Sequence, residues 1–199
     1  KIKRREMVRE VNHAQLREVI KKHYEKRLPL FVIGRTGIGK SQTVRETARE
    51  IAKELGLEYS EDSNDIGNEQ KFVLIDRRVS QMEPSDLLGL PRIEENGHGG
   101  VTRWIPPSWL PKRGQGIIFL DELNLAPPSI QSACYQLILD RQLGDYRLPE
   151  GYMVIGAGNK SEDRAHTFEL AKPLENRFSW VELRVPTIEE WIENYAIPR

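Results

Sequence analysis

Eight consecutive residues, Gly34-Arg35-Thr36-Gly37-Ile38-Gly39-Lys40-Ser41, match G-x-x-x-x-G-K-[ST] at every fixed position. Glycines let a backbone wrap closely around phosphate oxygens, so that its N–H groups converge into an anion nest. A helix opening near Gly39 adds unpaired N–H groups and the positive end of its dipole. Lys40 is placed to reach the β- and γ-phosphates, and the Ser41 hydroxyl to meet Mg²⁺. On this reading Gly34, Arg35, Thr36, Gly37, Ile38, Gly39, Lys40, Ser41 and Gln42 form a site for Mg-ATP. The competing explanation is a Gly-rich turn with a helix-capping Ser. Context favours the phosphate site, because the segment follows an apolar run and opens an amphipathic one, as the mechanism requires.

Hydrolysis needs two more parts, a carboxylate that orders Mg²⁺ and a base that orients water. Asp121 and Glu122 follow directly on the apolar run Gly116-Ile117-Ile118-Phe119-Leu120. Ligands bind at the C-terminal ends of strands in open parallel sheets. Asp121 is therefore expected to hold Mg²⁺ through its water shell, with Ser41 as the other metal-side oxygen. Glu122 is expected to polarise the attacking water. Two acidic residues capping a surface strand are the alternative.

These groups must be positioned by a framework, and hydrophobic periodicity supplies one. A helix is expected from Val11 to Tyr24. Leu28–Ile33 reads as a strand buried on both faces. Ser41–Leu55 returns to helical spacing, with Gly56 as its stop. Glu61–Gln70 reads as a loop, Phe72–Asp76 as a second strand, and Pro84–Leu88 as one helical turn. Gly116–Asp121 is the third strand, Ser129–Leu139 a helix, Tyr152–Gly156 the fourth strand and Phe178–Leu183 the fifth. Residues 91–111 hold several glycines and prolines together with Trp104 and Trp109. They read as a hairpin or loop insertion with a small hydrophobic cluster of its own. Strands alternating with helices, without a repeat, imply one α/β domain built on a parallel sheet.

Composition narrows the partners. The 199 residues are 38% hydrophobic and 30% charged, an ordinary globular balance. Thirty Lys and Arg balance thirty Asp and Glu, so no global charge steers the chain to nucleic acid or to an anionic membrane. Lys1, Lys3, Arg4 and Arg5 make residues 1–10 a basic tail, read as solvated. One cysteine, Cys134, excludes an intrachain disulfide, fits a cytoplasmic setting and reads as a buried small hydrophobe. His13, His23, His98 and His166 show no metal-ligand spacing. Arg77 and Arg78 are either phosphate sensors or surface charges. No membrane span or signal peptide is legible, and the start at Lys1 suggests that residues precede it.

Taken in order, the motifs resemble the AAA+ ATPases, in particular their MoxR-like, dynein-related branch. The phosphate loop Gly34–Ser41 is followed by Leu120-Asp121-Glu122-Leu123-Asn124-Leu125-Ala126, by Val154-Ile155-Gly156-Ala157-Gly158-Asn159 and by Leu174-Glu175-Asn176-Arg177-Phe178. Asp86-Leu87-Leu88-Gly89 and Trp104–Pro111 look like that branch's helix-2 insertion. Three departures stand out. Arg35 and Thr36 replace common prolines, Leu-Glu-Asn-Arg-Phe replaces the more usual Leu-Leu-Asp-Arg-Phe, and the helical lid with its sensor-2 arginine is absent.

The resemblance implies a P-loop NTPase fold, a three-layer α/β/α core with a five-stranded parallel sheet in the order 5-1-4-3-2. It implies that residues 1–199 are the core ATPase domain of a longer protein whose lid lies beyond residue 199. It makes Asn159 a catalytic residue that helps Glu122 place water, alongside Lys40. It makes Arg177, with Arg164 as rival, an arginine finger acting on a neighbouring subunit, a device worth roughly 10³–10⁵ in rate. It further implies a homo-oligomer, a hexameric ring, that remodels a protein partner such as one with a von Willebrand factor A domain. The alternatives are a nucleic-acid-stimulated motor, against which the neutral charge stands, and a nucleotide-gated scaffold, which has no need of Glu122.

Overall fold

The computed structural model describes residues 8–95, 99–160 and 178–192. Their framework is a parallel sheet whose strands carry long apolar runs. Leu30–Gly34 (β2), Lys71–Arg78 (β4), Gln115–Asp121 (β7), Tyr152–Asn159 (β10) and Ser179–Leu183 (β11) are the five expected strands. They lie in the order β11-β2-β10-β7-β4, which is 5-1-4-3-2 when the five are counted along the chain. Two short edge strands extend the sheet to seven, Arg9–Val11 (β1) beside β11 and Glu58–Ser60 (β3) beside β4. Arg9 and Glu10 therefore belong to a strand and not to a solvated tail. Val11 supplies the reason, since its side chain is 1% exposed and packs under the first helix.

Helices cover both faces of the sheet. On one face lie His13–Lys26 (α1) and Lys40–Glu54 (α2); on the other lie the short Pro84–Leu88 (α3) and Pro128–Leu139 (α4). Helix α1 begins where Asn12 forms a capping box with Gln15, each side chain bonding the other's backbone N–H. It buries His13, Leu16, Ile20 and Tyr24, one stripe along the helix. Helix α2 stops as the sequence requires. Gly56 takes a φ of 70°, and the N–H groups of Gly56 and Leu57 bond the carbonyls of Lys53 and Ala52.

Strand alternation divides the core in two. Phe72, Leu74, Ile117, Phe119, Met153 and Ile155 face α1 and α2, whereas Val73, Ile75, Ile118, Leu120 and Val154 face α3 and α4. Cys134 is fully buried in the second layer, where loss of solvation pushes its thiol up to about 12.

The insertion is a two-stranded antiparallel hairpin, Leu90–Glu95 (β5) with Gly100–Ile105 (β6). Its expected private hydrophobic cluster does not form. All twelve strand residues are exposed. Trp109 instead turns into the core beside α4, at 7% exposure, and donates from Nε1 to the Asp86 carbonyl at 2.7 Å. A second, smaller hairpin, Gln142–Leu143 (β8) with Tyr146–Arg147 (β9), joins α4 to β10 and is not legible in the hydrophobic pattern.

Candidate functional site

Parallel strands end together, so residues at their C-terminal tips meet whatever their separation in sequence. The register puts Asn159 opposite Gly34 across β10 and β2, and Gly156 opposite Leu120 across β10 and β7. The tips of β2, β7 and β10 thus form one edge. The glycine loop leaves β2 at that edge and enters α2, with Gly37 and Gly39 at φ 78° and 90°. Such left-handed backbone costs a side chain dearly and a glycine little.

Lys40 is 7% exposed, and its ammonium donates to the carbonyls of Gly34 at 3.0 Å and Arg35 at 2.8 Å and to Asn159 Oδ1 at 3.1 Å. A buried cation needs such partners. Ser41 Oγ donates to Asp121 Oδ2 at 3.3 Å, eighty residues away in sequence. The other Asp121 oxygen accepts the Glu122 N–H at 2.8 Å. Glu122 itself sits at φ 58°, an uncommon conformation for a non-glycine residue that costs of order 1–3 kcal/mol. Its carboxylate accepts from Ser80 Oγ at 2.5 Å.

Sequence-predicted residues Lys40, Ser41, Asp121, Glu122 and Asn159 therefore lie along one edge. The side chains of Arg35 and Thr36 are exposed on the loop, and Gln42 turns along α2 to bond Glu46 at 3.0 Å. Arg177 and Arg164 fall outside the described residues. Arg77 lies 5.6 Å over the Trp109 ring, on the α3 side of the sheet, and Arg78 is exposed.

Four other contributors were not read from the sequence. His13 Nε2 donates to the Ile38 carbonyl at 2.8 Å, tying the start of α1 to the glycine loop. Ser80 meets Glu122 from the turn after β4. Asn124 bonds the main chain of Asn159. Arg45, one helical turn beyond Ser41, bonds Asp76 at 3.0 Å and Glu61 at 2.9 Å. Burial pushes the Asp76 carboxyl above its usual range and the nearby Asp121 charge adds to this, while Arg45 opposes both. Only Asn124 left a sequence signal, as a polar residue inside the apolar turn Leu123-Asn124-Leu125-Ala126.

The donor set suits a magnesium nucleotide. A hydroxyl and a carboxylate oxygen, both hard, face each other at the metal side, and Mg²⁺ prefers few protein oxygens and keeps its waters. Among the described residues no cluster of three or more His, Cys, Asp or Glu could hold a metal, and no helix is long and apolar enough to cross a membrane.

A family model described as AAA domain (dynein-related subfamily) matches residues 29–178. No curated protein matches the chain. Among solved structures, a presumed ATPase from Cytophaga hutchinsonii aligns at TM-score 0.59 and 20% identity, over 94% of this chain and 50% of that one. The Thermotoga maritima RuvB Holliday junction branch migration motor aligns at 0.52 and 18%, over 91% and 47%. NtrX from Brucella abortus, in complex with ADP, aligns at 0.52 and 18%, over 90% and 37%. At these identities the likeness is one of fold. The chain spans half or less of the length of each of these structures.

Proposed function

The chain belongs to the AAA domain family, dynein-related subfamily, as a P-loop ATPase domain, and on that premise we propose that it hydrolyses Mg-ATP at the edge formed by β2, β7 and β10. The observation that carries this reading is the Ser41–Asp121 contact at 3.3 Å, with the Lys40 ammonium bonded to both the glycine loop and Asn159. Three sequence-distant segments converge there, and the groups they bring are those phosphoryl transfer uses.

The residues divide by what each can do. The loop N–H groups and Lys40 bind and orient the phosphates. Magnesium would be held by Ser41 and, through water, by Asp121, and would supply charge neutralisation at the phosphates. Glu122 accepts a proton from, or orients, the attacking water once its carboxylate leaves Ser80. Asn159 presents its amide between Lys40 and that water. Arg177 is proposed to serve a neighbouring copy, which fits a ring, hexameric as in the resembled branch. In that ring turnover would drive the remodelling of a protein partner, a von Willebrand factor A domain being the class the resemblance suggests. A cytoplasmic setting accords with the lone buried thiol.

The test is a pair of variants in the full-length protein. Lys40→Ala is expected to lose ATP binding by calorimetry. Glu122→Gln is expected to retain binding while turnover falls about 10²–10⁴-fold, the range for a positioned proton acceptor. Unchanged affinity in the first variant or near-normal turnover in the second removes the corresponding role.

A further inference from the structure

Asn124 lies two residues beyond Glu122, in the 3-10 turn Leu123–Leu125 that Glu122 opens. Its side chain is buried, at 8% exposure. Nδ2 donates to the Asn159 carbonyl at 2.7 Å, and Oδ1 accepts the Asn159 N–H at 3.0 Å. One side chain thus satisfies both main-chain groups of the residue that ends β10.

The reason lies in the ladder. In a parallel pair a residue points its N–H and C=O to the same neighbour. β7 pairs with β10 only as far as Leu120 opposite Gly156, so Asn159 reaches past the end of that partner. Its N–H and C=O face the turn after β7 and would be buried without a strand to bond. A primary amide carries one carbonyl and one NH₂, the same donor and acceptor as a peptide group. Asn124 therefore stands in for the missing strand. A Cβ at Gly158 would lie 2.7 Å from Asn124 Oδ1, so the neighbouring glycine keeps that approach open.

The turn is fixed at its other end as well. Gln131 on α4 donates to the Ala126 carbonyl at 3.0 Å and is itself held by Tyr135 at 2.8 Å. Leu125 N–H bonds the Glu122 carbonyl at 2.9 Å, so the turn that Asn124 anchors also sets the Glu122 backbone.

We infer that Asn124 is a positioning residue, which locks the turn carrying Glu122 to the strand tip carrying Asn159 and so sets the water-side carboxylate relative to the phosphate-side amide. This rests on the roles proposed above for Glu122 and Asn159. A misplacement of about 1 Å in such a constellation can cost 10²-fold in rate.

The experiment is Asn124→Asp in the full-length protein. Aspartate keeps the acceptor for the Asn159 N–H but sets a second oxygen against the Asn159 carbonyl. The expected result is a kcat lower by about 10- to 100-fold, with ADP affinity by calorimetry and ATP KM near wild type. Wild-type kcat, or a parallel loss of affinity and turnover, overturns the inference. If the aspartate variant does not fold, Asn124→Ser, which shortens the side chain without adding charge, is read by the same split. Failure of both to fold assigns Asn124 to stability alone and also overturns it. Lys40→Ala and Glu122→Gln run alongside. Their expected losses together with a normal Asn124→Asp sink the clamp only, whereas a normal Glu122→Gln sinks the underlying reading and the clamp with it.

Discussion

The sheet edge where Lys40, Asp121 and Asn159 meet and the hairpin β5–β6 both extend beyond the body of the sheet, yet they are held in opposite ways. At the strand tips Lys40, Asn124 and Asn159 are buried, and each bonds a residue remote in sequence or a loop carbonyl. On the hairpin every strand residue is exposed, with Ile93 at 74% and Trp104 at 46%. Positions in the first region are over-determined, so a left-handed Glu122 persists there. Positions in the second are held by the strands' own ladder, by the exposed Arg103–Glu94 pair and by the root at Trp109. The contrast teaches that this fold concentrates its buried polar contacts where phosphate chemistry would need them, and leaves the insertion's strands exposed.

The sharpest way to break the contrast is to loosen the buried region from beneath. Phe31 is fully buried in β2, the strand that leads into the glycine loop, with ring centroids 5.3 Å from Phe178 and 4.3 Å from Trp180. Phe31→Ala is expected to cost about 3–5 kcal/mol of unfolding free energy, read from denaturant melts. A cost within the surface range would mean that the edge is not supported by this core.

A smaller effect is expected at the boundary between the two regions. Trp109→Phe keeps most of the ring volume but loses the Nε1–H bond to the Asp86 carbonyl. The expected cost is about 1–2 kcal/mol, a hydrogen bond plus a small packing defect. An unchanged melting curve would place the root of the hairpin elsewhere than Trp109.

The same contrast explains what the sequence revealed. Four of the five long strands were legible as continuous apolar runs and the fifth as a shorter alternating one, whereas their order came from the resemblance that the local motifs at their tips carry. The edge strands were not, because Arg9-Glu10-Val11 and Glu58-Tyr59-Ser60 are three residues each and largely polar. Ser80 and Asn124 were missed as site contributors because their partners lie 42 and 35 positions away, and only the parallel register brings them near. Trp104 and Trp109 were expected to share one cluster. Their spacing could not tell which of them would find the core, since Pro106-Pro107 ends the exposed strand and Trp109 lies in the turn that the Leu110 N–H closes on the Pro107 carbonyl.

Trp104 tests the other limb. It stands opposite Pro91 on β5, and strand alternation puts Ile93 and Thr102 on the same face. The opposite face holds Arg92, Glu94 and Arg103, with Arg103 and Glu94 paired at 3.0 Å. Trp104 is half-exposed and meets a cross-strand partner on a two-stranded ribbon, so Trp104→Ala is expected to cost about 0.2–1 kcal/mol, the range of a cross-strand pair. Its fluorescence should report solvent, in contrast to that of Trp109. A destabilisation near that of Phe31→Ala would show that the hairpin face packs on its own domain after all. The difference between the two regions would then be one of position in the sheet and not of buried contacts.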